Sequence, residues 1–270
     1  MMRRGWFLPI AATLGFAFLY LPIISLVVFS FNENRLVTVW SGFSLKWYAE
    51  LFADPQMLGA AWLSLQIAAI SATIALVLGT LCAVALVRFR RFRGKTLLAG
   101  MVSAPLVMPD VITGLSLLLL FVAMESIFGW PSGRGVLTVI LAHSTLCMAY
   151  ITVVVQSRLS DLDLSLEEAA MDLGATPFRV FFDITLPIIA PALVSGWLLG
   201  FTLSLDDLVI ASFVSGPGSS TLPMVIFSKV RLGVSPDVNA LATIIIGIVA
   251  LGVLAATIFQ LRARPRKARA

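Results

Sequence analysis

The stretch "RLSDLDLSLEEAAMDLGATPFRVFFDITLP", Arg158 to Pro187, carries six acids against two arginines and lies between two apolar runs, 136–157 and 188–214. Crossing hydrocarbon takes roughly 20 apolar residues per helix. A hydrophilic loop held between two such runs places the chain in a bilayer. Within the loop, Ser165 followed three residues later by Glu168 predicts a capping box, with Glu168 and Asp172 in the first turns of a short helix. Ala170 and Gly174, four apart, are expected on one face of that helix with almost no side chain, a face that invites close approach by another surface. Thr176-Pro177 should end it, and "FRVFFDITLP" predicts a second short amphipathic helix running into Pro187 and Pro191.

Working outward, the 270 residues are 59% hydrophobic and 12% charged, with a mean hydropathy of +1.00. No single soluble core could hide that much apolar surface. Charge-poor runs at about 6–31, 62–87, 97–123, 136–157, 188–214 and 239–261 predict six transmembrane helices in one all-α membrane domain, 1–270. The first run is too long for a signal-peptide core and lacks a small-residue cleavage site, so it is expected to be an uncleaved span.

Orientation follows from the lysines and arginines of alternate connections, because basic loops stay cytoplasmic. One side holds fourteen, including Arg3, Arg4, the cluster Arg88–Lys95 and the tail from Arg262 onward. The other holds five, Arg35, Lys46, Arg134, Lys229 and Arg231. Both termini and the loop 158–187 are therefore expected in the cytoplasm. The net charge of +5 records topology and gives no support to nucleic-acid binding.

Several motifs are excluded by spacing. Gly94-Lys95-Thr96 imitates a phosphate-binding loop, but the required glycine five residues earlier is Phe89, so ATP should not bind this chain by itself. Cys82 and Cys147 have no partner at metal or redox spacing and read as small core residues; no metal site and no catalytic residue is expected. Trp40, Trp47, Tyr48 and Trp62 form an aromatic set suited to the headgroup layer. His143 reads as a packed or hydrogen-bonded histidine without a role. Residues 215–237 are expected to form an external loop with a short helix near Leu222–Leu232, where Lys229 and Arg231 either meet acids on a partner or are solvated.

The acids inside spans are the residues that need a reason. Asp206 and Asp207 are the only charges between Ile188 and Lys229, and Asp110 lies in "APLVMPDVITG". An ionised side chain in hydrocarbon costs several kcal/mol, on the order of 3 by insertion scales. On regular helices with ~1.5 Å per residue, both sites lie roughly 20 Å outward from the inner face. Pro105 and Pro109 each remove an intrahelical hydrogen bond, and a break at Pro109 would survive only against protein or a water-filled cavity. Asp206 and Asp207 point about 100° apart, so one could line a passage while the other caps a break or bonds a neighbouring helix.

"EEAAMDLGATPFRVFFDITLP" resembles the EAA loop of permease subunits in type I ABC importers, with Glu168, Ala169, Ala170, Gly174, Leu186 and Pro187 at the defining positions. "FSFNENRLVTVWSGFSLKWYAELF", "APLVMPDVITGLSLLLLF" and "FTLSLDDLVIASFVSGPGSSTLPM" extend the likeness to the polyamine branch, nearest to the second permease subunits of bacterial putrescine importers. This resemblance implies the type I importer permease fold, a multi-pass protein of the bacterial inner membrane, and a coupling helix that fits a cleft on a separate ATPase. It also implies a companion permease, two ATPase copies and a periplasmic polyamine-binding protein, with ATP and Mg on the ATPase and no cofactor in this chain. Asp110, Asp206 and Asp207 would then replace the hydration of a di- or polyamine cation in its passage. A proton-coupled secondary transporter of organic cations is the competing reading, and it leaves the EAA loop unexplained. An intramembrane aspartyl protease lacks its Gly-x-Gly-Asp motif here, since Asp206 follows Leu205 and Asp110 follows Pro109.

Overall fold

The computed structural model describes residues 6–35, 39–89, 91–232 and 236–263. In chain order the helices are α1 (Phe7–Phe29), α2 (Lys46–Ala53), α3 (Pro55–Arg88), α4 (Lys95–Val107), α5 (Asp110–Phe128), α6 (Val136–Ser160), α7 (Ser165–Asp172) and α8 (Pro177–Val180), then a π turn Phe181–Thr185, then α9 (Leu186–Asp206), α10 (Val209–Val214), α11 (Leu222–Leu232) and α12 (Pro236–Ala263). An all-helical build is what hydrocarbon demands, because each backbone amide must find its partner within the segment. Arg3, Arg4, Arg90, Arg264, Arg266, Lys267 and Arg269, which weigh in the charge count, lie outside the described residues, as do Gly233–Ser235 of the external loop.

Among the described residues, five helical runs are long and apolar enough to cross a membrane: Phe7–Phe29, Pro55–Arg88, Asp110–Phe128, Val136–Ser160 and Pro177–Asp206. The expected last span falls in α12, whose described apolar part is Pro236–Gly252. Two expected spans are not continuous helices. The third divides into α4 and α5 at Met108–Pro109, and the fifth ends as a helix at Asp206 and restarts at Val209.

The chain forms two compact units, Met1–Leu58 with Ile226–Ala270, and Gly59–Val225. In the first, α12 packs on α1 and α2. The linker after α1 is organised by fully buried Asn32, whose carbonyl accepts from Trp47 Nε1 (2.7 Å), whose Nδ2 donates to Val39 O (2.7 Å) and whose Oδ1 accepts from Ser41 N (3.0 Å). Trp47 is therefore a core residue and not a headgroup anchor, in contrast to exposed Trp40.

In the second unit α6 is the central helix, and its principal neighbour is α9. Small residues let the two backbones come close, the usual device where lipid offers no hydrophobic drive to association. A Cβ on Gly200 would lie 2.9 Å from Ile151 Cδ1, and one on Gly196 would lie 3.4 Å from Ile151 Cγ2. A Cβ on Gly79 of α3 would meet the same Ile151 Cγ2 at 3.1 Å and Met148 O at 3.2 Å, so α3 also closes on α6 around this side chain. Buried Cys147 donates from Sγ to Gly200 O at 3.2 Å, so it is the small core residue its sequence suggests.

Candidate functional site

The acidic loop is built at the foot of the second unit. Helix α7 starts one residue earlier than a Ser165 cap would place it. Asp163 Oδ1 accepts from Ser165 N at 3.0 Å, so Asp163 supplies the side-chain acceptor and the Ser165–Glu168 capping box is absent. That hydrogen bond holds the Asp163 carboxyl below the usual aspartate range.

Gly174 is not on a helix face with Ala170. It follows the helix at φ +88°, where it donates to Met171 O (2.9 Å) while Ala175 donates to Ala170 O (3.0 Å). These two bonds are a Schellman termination, which requires the left-handed backbone that glycine adopts without cost. Thr176 then caps α8, accepting from Arg179 N at 3.4 Å, and Pro177 opens that helix as expected. The π turn Phe181–Thr185 stands directly before Leu186 and Pro187, where proline removes an α-helical amide donor and a wider turn accommodates the loss.

Glu168, Ala169 and Pro187 are exposed, and Ala170 and Leu186 are half-buried. The internal anchor is Glu167, which lacks any motif signal beyond its place beside Glu168. Its Oε1 accepts from Arg88 Nη2 at 2.7 Å and from Thr185 Oγ1 at 2.6 Å, and Arg88 Nη1 reaches Leu159 O at 3.4 Å. One carboxylate thus ties the ends of α3 and α6 to α7 and to the π turn. Outside this node the loop presents Leu166, Met171, Leu173 and Phe178 to the exterior, beside a groove of about 410 Å³. An acidic segment with so many exposed apolar side chains is a contact surface.

Higher in the same unit, two broken spans bring their carboxylates to restarting helices. Met108 and Pro109 are extended (ψ 138° each), and Asp110 begins α5, where the helix dipole favours a negative charge. Asp207 is extended (ψ 123°) between α9 and α10. Its Oδ1 accepts from Ile210 N (3.3 Å) and its Oδ2 from Ala211 N (2.7 Å), so it caps α10. The two restarted helices pack directly: a Cβ on Gly114 of α5 would lie 2.7 Å from Phe213 Cδ2 and 3.3 Å from Ile210 Cα on α10.

His143 completes this arrangement from α6. It is fully buried, with Nε2 3.1 Å from Asp207 Oδ2 and Nδ1 2.7 Å from Ser204 Oγ. A carboxylate accepting from backbone amides on both oxygens is a pure acceptor, so Nε2 carries a proton toward it, while Nδ1 shares a hydrogen bond with the Ser204 hydroxyl. Sequence alone finds neither partner, because His143 and Ser204 are 61 residues apart. Asp206 and Asp110 are exposed and make no ion pair among the described residues.

In the first unit Lys229 is spent within the chain. Its ammonium bonds Asp54 Oδ2 at 2.8 Å and Asp237 Oδ2 at 2.7 Å, so it is not a free flank charge, while Arg231 lies over the Phe227 ring at 5.7 Å. The Lys229 bond pulls Asp54 below the usual carboxylate range. Burial works against the Lys229 cation, yet bonds to Asp237 and Asp54 outweigh it and raise its pKa above that of an ordinary lysine.

Broken spans that converge on carboxylates, above a polar loop with an outward apolar face, define a membrane transport subunit. The chain belongs to the family of binding-protein-dependent transport system inner membrane components, which it matches over residues 75–269. It is 61% identical over 268 residues to the putrescine transport system permease protein PotI of Escherichia coli K12, covering 99% of this chain and 94% of that one. The spermidine/putrescine transport system permease protein PotC of the same organism is 44% identical over 245 residues, 91% of this chain and 89% of that one. A bacterial ABC transporter that imports the acidic polysaccharide alginate shares the fold, with a TM-score of 0.71 at 16% identity over 96% of this chain and 98% of that one. The chain is a permease subunit and not an enzyme.

Proposed function

We propose that this chain is one permease half of an ATP-driven polyamine importer of the bacterial inner membrane, with putrescine as its cargo. The observation that carries the mechanism is the continuous helical run Pro177–Asp206, which joins the acidic loop to the carboxylates at the α9 break. Helix α9 has 21 residues and is roughly 30 Å long at ~1.5 Å per residue, most of the thickness of a hydrocarbon core. The cargo follows from the likeness to PotI, and a dication suits the exposed carboxylates Asp110 and Asp206, which make no ion pair among the described residues. Both termini and the loop 158–187 face the cytoplasm.

A companion permease supplies the other half of the path, a periplasmic polyamine-binding protein delivers the cargo, and two copies of a cytoplasmic ATPase hold the ATP and Mg. No cofactor is needed in this chain. Docking of the ATPase on the loop, with Glu168, Ala169, Ala170, Gly174, Leu186 and Pro187 forming and shaping its surface, moves α7. Glu167 passes that movement to α3, α6 and the π turn, and α9 delivers it to the break. Asp110 and Asp206, the exposed carboxylates at the two breaks, offer acceptors that replace the water of the ammonium groups, with Asp207 beside them at the second break.

Uptake of radiolabelled putrescine by cells with the complete system, compared with cells whose ATPase cannot hydrolyse, tests the reading. Uptake should vanish in the second strain. Continued accumulation there, collapsing with a protonophore, would instead establish a proton-coupled carrier.

A further inference from the structure

We propose that His143 gives the two adjacent carboxylates unequal tasks. By holding Asp207 on the first turn of α10, it leaves Asp206 as the single carboxylate at this break that meets the transported cation. The proposal rests on the polyamine-transport reading and deepens it by naming the cation-binding carboxylate and the residue that positions its neighbour.

Three observations carry it. First, Asp207 is both occupied and enclosed: Ile210 N, Ala211 N and His143 Nε2 already donate to its two oxygens, three of about four acceptor sites, and its side chain is 8% exposed. A hydrated cation reaching it would have to shed its water in a nearly closed site and crowd donors that are themselves buried.

Second, the imidazole cannot turn away. Ser204 fixes its other nitrogen, and α6 is keyed to α9 below it in antiparallel register, His143 with Ser204, Cys147 with Gly200, and Ile151 with Gly196. Those pairs step four residues at a time along both helices, so the ring is the last rung of a packed seam.

Third, Asp206 points elsewhere. It shares the exposed face of α9 with Ser195, Leu199 and Thr202, whereas Gly196, Gly200 and Ser204 are buried on the face toward α6. It keeps its charge uncompensated by any ion pair among the described residues. His143 and Ser204 are accordingly positioning residues, and Asp206 is the group that touches cargo.

The test uses the complete transporter in proteoliposomes, with putrescine uptake and hydrolysis stimulated by the loaded binding protein measured side by side. Asp206→Asn should lower uptake at least ~10-fold while stimulated hydrolysis stays within about twofold, since only a charge facing the cargo is lost. Asp207→Asn should lower uptake and hydrolysis together. His143→Asn, which retains a partner for Ser204 but is too short for Asp207, removes one of the three donors to that carboxylate and opens its Oδ2 side. Added to Asp206→Asn, it should recover uptake about fivefold over the single variant, a gain that loss of packing cannot produce.

Selective loss of uptake in Asp207→Asn with hydrolysis retained would overturn the proposal. So would an assembled Asp206→Asn, His143→Asn double variant with no recovery. If His143→Asn prevents assembly, the contrast between the two aspartate variants decides alone. A wild-type complex that does not transport putrescine would instead refute the underlying function.

Discussion

The molecule breaks two of its spans and places an aspartate at each break, but by different physics. Between α4 and α5 the cause is covalent. Pro109 has no amide to donate, and its ring drives Met108 out of the helical region, so both residues are extended. Between α9 and α10 neither proline nor glycine is present, and "SLDDLVIASF", though made largely of weak helix formers, contains no residue that compels a break. There the break is held by what the chain brings to it, Asp207 turned onto the amides of α10 and His143 from α6 bonded to that carboxylate. One discontinuity survives the loss of its neighbours; the other depends on them.

The largest expected effect separates the two causes. His143→Leu removes one of three donors to a buried carboxylate, a change that costs about 1.5–3 kcal/mol, and thermal unfolding of the nanodisc-embedded complex should fall accordingly. An unchanged midpoint would mean that the second break is locally encoded after all. Next, Gly114→Val thrusts a side chain into Phe213 and the Ile210 backbone where the restarted helices touch. Overpacking of this kind costs about 1–3 kcal/mol, and tolerance of valine would show that α5 and α10 separate freely.

A third helix end, Gly174, is intermediate because it depends on a local backbone state and not on neighbours. Nothing lies within 4 Å of a Cβ built there, so Gly174→Ala tests the left-handed conformation alone, at about 1–2 kcal/mol. ATPase affinity of Gly174→Arg then has meaning only relative to that alanine variant: an equal loss in both would assign the glycine to chain termination and not to docking. Pro109→Ala should change stability by no more than about 1 kcal/mol, since proline acts largely by restricting the unfolded chain, and its readout is cysteine accessibility along α4 and α5.

The smallest effect is a control remote from both breaks. The pKa of Asp54 is lowered in the fold, so its contribution is present above the ordinary carboxylate value near 3.8 and is lost as pH falls through the lower folded value. The pKa of Lys229 is raised, so its contribution is complete below 10.5 and is lost only above that. Lys229→Met should therefore cost about 1 kcal/mol or less at neutral pH and flatten stability against pH at both extremes. A dependence concentrated between pH 5 and 9 would place the titrating group elsewhere.

How legible each part was follows the same division. The apolar runs, the short helix at Leu222–Leu232, the proline break and the acidic loop are all written in consecutive residues. The Schellman end of α7 was only half legible: the glycine was visible, but without backbone angles it read as a small residue on a face. Glu167 was missed because it stands beside Glu168 in an identical local setting, and only the arrival of Arg88 and Thr185, 79 and 18 residues away, distinguishes them. His143 has no local signal of a role for the same reason, its partners Ser204 and Asp207 being 61 and 64 residues away.

What the sequence by itself determined is the set of properties that depend on composition and short period: a helical membrane chain, its spans, its charge asymmetry and a proline-made break. Hydrocarbon enforces these, because it penalises every exposed amide and charge without regard to the rest of the fold. Which of two adjacent aspartates is buried, which of two adjacent glutamates is an anchor, and where α9 stops were decided only by tertiary structure. Those outcomes depend on hydrogen bonds between residues far apart in the chain, and such bonds exist only once packing has brought α3, α6 and α9 together.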